Sequence, residues 1–227
     1  MKIRYSRTKI ESTVFGPPAK GPWDPQAALE LLTQVSQSLS RAGISYWVTY
    51  GSLLGLVRQN ALLAWDNDVD IAVAPGASFE TIRAALQETG LPPRMIKRRG
   101  DPVVSLNLCK DGISADLYLL AVQQDRWVDF GGGSRGFTLT MSHPHTTVVE
   151  RTFANRILPV PAEAEAYLAH LYGPQWRMPD RNWSWKHTSA NRVALEFNSF
   201  RAVLKYIKNW LRWRWDGKLP PHAAETT

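Results

Sequence analysis

Trp65-Asp66-Asn67-Asp68-Val69-Asp70-Ile71 is the stretch that decides the fold, and Tyr50-Gly51-Ser52-Leu53-Leu54-Gly55-Leu56-Val57-Arg58 lies just upstream of it. Alternate side chains of a β-strand share a face, so Asp68 and Asp70 are predicted to project together while Val69 and Ile71 enter the core. The two Cα atoms would lie about 7 Å apart, which is two strand rises. Two carboxylates at this spacing suit one or two magnesium ions.

The Gly51-Ser52 pair is predicted to form a turn that opens a helix. A helix that starts there presents backbone N–H groups and a positive dipole end to a phosphate. A phosphate cradle followed by paired carboxylates predicts phosphoryl or nucleotidyl transfer. The alternative for the Asp-x-Asp motif alone is a solvated turn.

The composition predicts a folded chain with a substantial core. Of the 227 residues, 44% are hydrophobic and 11% aromatic, enough for one domain with appendages or two small domains. Cys109 is the single cysteine, which excludes an intrachain disulfide and a multi-cysteine zinc site. No signal peptide is evident, and no apolar run approaches the ~20 residues of a membrane span. We therefore expect a cytoplasmic protein.

The net charge of +7 is concentrated at the two ends of the sequence. Residues 1–20 and residues 197–227 each sum to +4, which leaves the middle close to neutral. This distribution predicts basic ends that meet an anionic surface, and no nucleic-acid partner is expected. The predicted organisation is a basic N-terminal extension (1–23), a catalytic domain (24–196) and a basic aromatic helix with a tail (197–227).

Capping and periodicity predict the first elements of the catalytic domain. Asp24-Pro25 reads as a helix start and Gly43 as its end. The predicted order that follows is a strand over 44–50, a helix over 52–58, a strand over 68–74 and a helix from Ser78 to near Gly90.

An Asp111-Gly112 turn predicts a hairpin between residues 103–109 and 113–120. Asp116 is the one charged residue of the second arm, where an unpaired carboxylate would cost several kcal/mol. Asp116 is therefore the expected third ligand of the Asp68/Asp70 site. The alternative places it on the solvent face of an edge strand.

Beyond the hairpin the sequence predicts a strand over 126–130, a flexible Gly131-Gly132-Gly133-Ser134 loop, an extended segment over 152–160 and a helix over 162–171. His143-Pro144-His145 suggests a metal pair, but two histidines without further spaced ligands are a weak signal. The favoured interpretation of this tripeptide is a loop.

These motifs resemble the LicD/fukutin family. The resemblance rests on the Tyr50-to-Arg58 and Trp65-to-Ile71 motifs, on Ala115-Asp116-Leu117-Tyr118, and on a closing segment that includes Leu171-Tyr172-Gly173 and Trp176. It implies an α/β (α+β) fold of nucleotidyltransferase type, a mixed sheet flanked by helices. Two departures are Gln59-Asn60-Ala61, where the family often has a His-Gly-Gly-like run, and Asn67, where an acidic residue is frequent.

The resemblance also implies an activity: transfer of a phospho-alcohol, phosphocholine-like or a polyol phosphate, from a CDP-linked donor to a hydroxyl of a glycan or its lipid-linked precursor, with release of CMP. The implied site has Gly51 and Ser52 at the donor phosphates and Mg²⁺, or Mn²⁺, on Asp68, Asp70 and Asp116. Asp116 is also the candidate general base. Asp66 is predicted to assist at the rim, and Arg58 either clamps phosphate or is a structural arginine.

Two other functions remain open at this point. One is an NTP-dependent nucleotidyltransferase that acts on a small molecule or protein. The other is a non-catalytic protein of the same fold that binds membrane or nucleic acid, favoured by the basic, tryptophan-rich C-terminus.

The C-terminal segment is predicted to be an amphipathic helix. Its apolar positions share one face and its basic positions another, namely Val203, Leu204, Ile207, Trp210 and Leu211 against Arg201, Lys205, Lys208 and Arg212. Trp213 and Trp215 follow. The apolar face is predicted either to lie on an anionic membrane, making the protein peripheral, or to pack on the catalytic domain.

Overall fold

The computed structural model describes residues 2–5, 10–13, 23–91, 93–98, 103–131, 137–180, 183–186 and 188–216. Its helices are α1 (Pro25–Arg41), α2 (Tyr50–Gln59), α3 (Phe79–Gln87), α4 (Ala164–Tyr172) and α5 (Phe200–Asp216). Its strands are β1 (Lys2–Tyr5), β2 (Ile10–Thr13), β3 (Tyr46–Val48), β4 (Asp68–Val73), β5 (Arg94–Arg98), β6 (Val103–Lys110), β7 (Ile113–Leu119), β8 (Ala121–Gln123), β9 (Arg126–Gly131), β10 (Phe137–His143), β11 (Val148–Phe153), β12 (Arg156–Pro161) and β13 (Arg192–Phe197).

The first sheet has six strands in the order β2-β5-β6-β7-β4-β3. The β4–β7 pair is parallel, and the remaining pairs are antiparallel. Helix α1 lies against β4 and β7, while α2 lies against β4 and α4. The mixed sheet flanked by helices, expected from the sequence motifs, is confirmed.

Local sequence signals account for several of these elements. The Asp24 carboxylate accepts a hydrogen bond of 2.9 Å from the Gln26 N–H at the start of α1, and Ser78 caps α3 in the same way through Thr81. Asp111 and Gly112 have φ of 51° and 86°, as a tight hairpin turn requires, and the predicted β6–β7 hairpin is confirmed.

A second sheet of five strands, in the order β1-β13-β10-β9-β8, was not predicted. Every residue of β10 is buried. Its polar side chains, Thr138, Thr140 and Ser142, therefore do not face solvent, as they would in a half-exposed strand. The two sheets meet where Trp47 of β3 stacks on Trp127 of β9, with ring centroids 5.6 Å apart.

One sequence prediction is wrong, and another is correct only in part. The extended segment over 152–160 is a β11–β12 hairpin, which turns at Ala154 and Asn155 with φ of 46° and 62°. The predicted loop at His143-Pro144-His145 is confirmed for Pro144 and His145, but His143 ends β10 and is buried. The predicted flexible loop falls mostly on residues 132–134, outside the described residues.

Helix α5 packs on the second sheet through only one of its faces. Ala202, Val203 and Tyr206 contact a small core that includes Phe137 and Phe197. The helix also carries exposed apolar side chains, Phe200 (70% exposed), Leu204 (52%), Ile207 (46%) and Leu211 (46%). Its predicted apolar face is therefore divided between core and solvent. Within the described ranges, no helix combines the length and apolar character required to cross a bilayer.

Candidate active site

Three carboxylates gather beside the start of β4. Asp66, Asp68 and Asp70 each offer an oxygen, and these oxygens lie within 4.8 Å of one another. Asp70 is buried and the other two are partly exposed. Since a hard divalent cation binds several carboxylate oxygens at once, these residue types at these distances fit a Mg²⁺ or Mn²⁺ ion.

The strand alternation predicted for this motif holds only from Asp68 onward. Asp68 and Asp70 lie on β4, whose residues from Val69 to Val73 are all buried. Asp66 precedes the strand, so it does not share the alternation of Asp68 and Asp70. Its carboxylate accepts from the Asn67 N–H at 3.1 Å and reaches the cluster from the connecting turn.

Asp116 lies opposite Asp70 in the register of the parallel β4–β7 pair. Directly paired residues of adjacent strands place their side chains on the same face. Its carboxylate accepts from Ser114 Oγ at 3.3 Å and from the Asn107 side-chain amide. Asp68, Asp70 and Asp116, the set predicted from the sequence, thus lie on one face of the sheet. The group whose oxygens lie within 4.8 Å of one another is instead Asp66, Asp68 and Asp70.

Gly51 and Ser52 form the first turn of α2 and contact the acidic cluster directly. Ser52 is fully buried, its Oγ accepts from the Asp70 N–H at 2.9 Å, and its own N–H lies 3.4 Å from Asp70 Oδ2. A Cβ on Gly51 would lie 2.4 Å from Asp66 Oδ2 and 3.4 Å from Asp70 Oδ2. The start of α2 therefore faces carboxylates, and the Ser52 hydroxyl is engaged inside the fold.

Tyrosines border the cluster and were missed by the sequence analysis. The Tyr118 hydroxyl donates to Asp70 Oδ1 at 3.2 Å, and Tyr118 packs edge-on against Tyr50 with ring centroids 5.1 Å apart. Tyr118 follows Asp116 by two residues on β7, so strand parity could have identified it.

Burial raises the pKa of each carboxyl of the cluster, and crowding raises the pKa of Asp68 and of Asp70 further. Burial, the largest cause, raises the pKa of Asp66 from 3.8 to about 6. It also raises the pKa of Asp68 and of Asp70 well above the usual range, with further increases from neighbouring carboxylates. Asp116 contributes to both of these shifts. A cation would replace the protons that this arrangement favours.

Arg58 contacts the segment that follows α4. Its guanidinium donates to the backbone carbonyls of Trp176 and of Met178, the latter at 3.2 Å. Burial lowers the pKa of Arg58. These bonds tie α2 to the closing segment, and the phosphate-clamp role stays a prediction.

Known proteins resemble this chain in the same region. Residues 43–101 match the family model described as LicD/FKTN/FKRP, nucleotidyltransferase domain. Ribitol-5-phosphate transferase FKTN of Homo sapiens is 27% identical over 172 residues, which are 73% of this chain and 36% of the relative. Ribitol 5-phosphate transferase FKRP of Mus musculus is 36% identical over 58 residues, 24% of this chain and 12% of the relative. The resemblance to the LicD/fukutin family expected from the motifs is confirmed.

The shared part is limited in length. The chain spans 36% of the FKTN relatives that it matches, including the one from Mus musculus at 28% identity over 168 residues. The solution structure of the antibiotic-resistance factor ANT(2'')-Ia aligns with a TM-score of 0.46 and 12% identity, covering 86% of this chain and 96% of that one.

We predict that Gly51→Ala disturbs the acidic cluster by displacing Asp66, because the new Cβ would enter the position of its Oδ2 atom. The variant should melt at a lower temperature than wild type. Adding Asp66→Ala should recover part of this loss by removing the clash, as a double-mutant cycle followed by circular dichroism would measure. Additive effects of the two substitutions would contradict this packing.

We predict that stabilisation by Mg²⁺ increases as pH rises through about 6, the folded-state pKa of Asp66. The folded protein holds this proton more tightly than the unfolded chain, so the contribution of Asp66 to stability is complete below about pH 4 and lost as pH rises through about 6. A cation binds the ionised form, and it should raise the melting temperature more at about pH 7.5 than at about pH 5. Equal gains at both pH values would contradict the assignment.

Proposed function

We propose that this chain, whose residues 43–101 match the LicD/FKTN/FKRP nucleotidyltransferase domain, is a phosphotransferase that moves a phospho-alcohol from a CDP-linked donor to a glycan hydroxyl. The observation that carries this proposal is the gathering of Asp66, Asp68 and Asp70 at the start of α2. The names of the curated relatives, ribitol-5-phosphate transferases, support a polyol phosphate as the transferred group. Phosphocholine is the second candidate.

The proposed cofactor is Mg²⁺, with Mn²⁺ as the substitute. Asp68 and Asp70 would hold it, with Asp66 or Asp116 completing the set. When bound, the ion supplies neutralisation of negative charge on the donor phosphates. The chain's own contribution is to fix these carboxylates: Ser52 holds the backbone of Asp70, and Tyr118 donates to its side chain.

The proposed reaction forms a bond between the acceptor oxygen and the phosphorus remote from cytidine. The pyrophosphate P–O bond breaks, CMP leaves, and the acceptor hydroxyl loses its proton. Asp116 is the proposed acceptor of that proton because it lies opposite Asp70 on the adjacent strand. The proposed acceptor molecule is a cell-surface glycan or its lipid-linked precursor.

We predict that Asp68→Asn, Asp70→Asn and Asp116→Asn each reduce CMP release by at least about a hundredfold, the range associated with loss of a metal ligand or general base. CDP-ribitol, CDP-glycerol and CDP-choline would be tested separately as donors, with CMP measured by chromatography. Asp125→Asn is the matched control, since Asp125 is exposed in the β8–β9 turn, and it should retain wild-type activity.

Thermal stability with ligands separates the competing functions. With Mg²⁺ present, a rise in melting temperature on adding CDP-alcohols supports the proposal. A rise with NTPs but not with CDP-alcohols would favour a nucleotidyltransferase. A wild-type protein that binds neither class of ligand would favour a non-catalytic role.

In the CMP-release assay, wild-type turnover in any one of the aspartate variants would show that the substituted residue is not part of the site.

We further propose that α5 attaches the protein to an anionic membrane surface. Phe200, Leu204, Ile207 and Leu211 are spaced by four, three and four residues, so these exposed side chains form one stripe. Exposed basic residues run beside it along the helix, Arg201, Lys205, Lys208 and Arg212. Each basic residue close to an anionic leaflet contributes ~1 kcal/mol. Lipid-linked acceptors would then lie within reach.

We predict that the triple variant Leu204→Ser, Ile207→Ser, Leu211→Ser remains in the supernatant when sedimented with phosphatidylserine vesicles, whereas wild type pellets with them. The control carries Val122→Ser and Ile157→Ser, which are similarly exposed at 60% and 66% but lie elsewhere, and it should pellet. High salt should weaken binding by screening the basic stripe. Unchanged sedimentation of the triple variant would refute membrane attachment through α5.

A further inference from the structure

A buried polar network connects the second sheet to the start of α2. Asp129 of β9 is fully buried and His143 of β10 nearly so. The Tyr50 hydroxyl donates to Asp129 Oδ2 at 2.7 Å, and His143 Nε2 lies 3.2 Å from both of these oxygens. Tyr50 packs against both hydrophobic cores of the described chain, so one side chain joins the two halves of the fold.

The network continues behind His143. The Tyr167 hydroxyl lies 2.5 Å from His143 Nδ1 and accepts from Trp47 Nε1 at 2.9 Å. This pattern is satisfied when Tyr167 donates to Nδ1 and the Nε2–H of His143 donates to Asp129. Tyr167 thereby fixes the orientation of the His143 imidazole through Nδ1. The other ring nitrogen, Nε2, then holds Asp129 and Tyr50 in place.

Stability alone does not account for this arrangement. A carboxylate removed from water costs several kcal/mol unless its oxygens are satisfied. Among the described residues, Asp129 Oδ1 has no hydrogen-bond partner, while Oδ2 interacts with both Tyr50 and His143. An incompletely satisfied buried carboxylate of this kind calls for an explanation beyond packing.

The backbone of Tyr50 also requires restraint. Its φ is 43°, in the left-handed region that a bulky aromatic residue rarely adopts, at a cost of order 1–3 kcal/mol. Such a conformation persists only when surrounding contacts enforce it. Gly51 and Ser52 follow directly and face Asp66 and Asp70, so the position of Tyr50 sets the position of this turn.

We infer that Asp129 and His143 are positioning residues, which hold Tyr50 and through it the Gly51-Ser52 turn and Tyr118 against the acidic cluster. The link to Tyr118 is the edge-on ring contact, and Tyr118 in turn donates to Asp70. The second sheet thus sets the geometry of the cation site on the first. The catalytic consequence of this inference rests on the proposed function. The expected effect of the network on cation affinity is independent of that function.

The test compares Tyr50→Phe with Tyr46→Phe. Tyr50→Phe keeps the ring that packs on Tyr118 and removes the hydroxyl held by Asp129. Tyr46→Phe removes a buried hydroxyl that bonds Ser36 and Ser40, away from the cluster. Mg²⁺ affinity is measured by isothermal titration calorimetry, and the half-activating Mg²⁺ concentration and KM for the donor are measured by CMP release.

Tyr50→Phe is expected to weaken Mg²⁺ binding roughly tenfold, as loss of a hydrogen bond to a charged group would, and to raise the half-activating concentration equally. Tyr46→Phe is expected to lower the melting temperature without changing either value. If wild type binds Mg²⁺ but releases no CMP from any donor, the proposed reaction fails while the calorimetric comparison still tests this inference.

Wild-type Mg²⁺ affinity in a folded Tyr50→Phe protein would overturn the inference. If Tyr50→Phe does not fold, Asp129→Asn replaces it, since the amide keeps the shape and removes the charge that holds the Tyr50 hydroxyl. Weakened Mg²⁺ binding in folded Asp129→Asn supports the positioning role. Unchanged Mg²⁺ binding, or loss of folding in both variants, shows that the network only stabilises the fold.

Discussion

Repulsion among carboxylates crowded at one end of β4 is the constraint on which the site depends. Asp66, Asp68 and Asp70 lie close together where water is partly excluded, and burial together with neighbouring carboxylates raises the cost of ionising Asp68 and Asp70. The fold holds them through the Ser52 and Tyr118 contacts with Asp70 and through the absence of a side chain at Gly51. A divalent cation would relieve this repulsion, so the cluster could hold a metal ion.

The packing around Gly51 changes the role expected for this glycine. A turn of Gly and Ser before a helix predicts a cradle for phosphate, and the helix start does lie at the acidic cluster. The space that Gly51 leaves open is occupied by the Asp66 carboxylate, however, and the Ser52 N–H is directed to Asp70. The first role of this turn is therefore to organise the carboxylates, and any role with donor phosphates builds on that arrangement.

The second sheet supports the site and also carries the C-terminal helix. Tyr50 reaches into it through Asp129 and His143, and α5 rests on its other residues through Val203 and Tyr206. Packing one face of α5 leaves its apolar and basic stripes exposed. The core-packing and membrane-facing interpretations of the predicted amphipathic helix are thus compatible, because they use different faces.

The sequence by itself determined the elements whose signals are local. Strand alternation placed Asp68 and Asp70 on one face, the Asp111-Gly112 turn specified the hairpin, and the lone charge in an apolar strand identified Asp116 as their neighbour. These features depend on dihedral preferences and on the cost of burying charge, both of which can be judged from adjacent residues.

Only the tertiary structure decided which distant groups meet. Asp66 joins the cluster from a turn, and His143 is drawn into a buried network with Asp129, 14 residues before it, and with Tyr50, 93 residues before it. Strand β10 alternates apolar and polar residues from Phe137 to Ser142, but both of its faces are buried, so this alternation does not show where the second sheet packs. Contacts of this kind depend on how two sheets pack together, and no local pattern in the sequence encodes that packing.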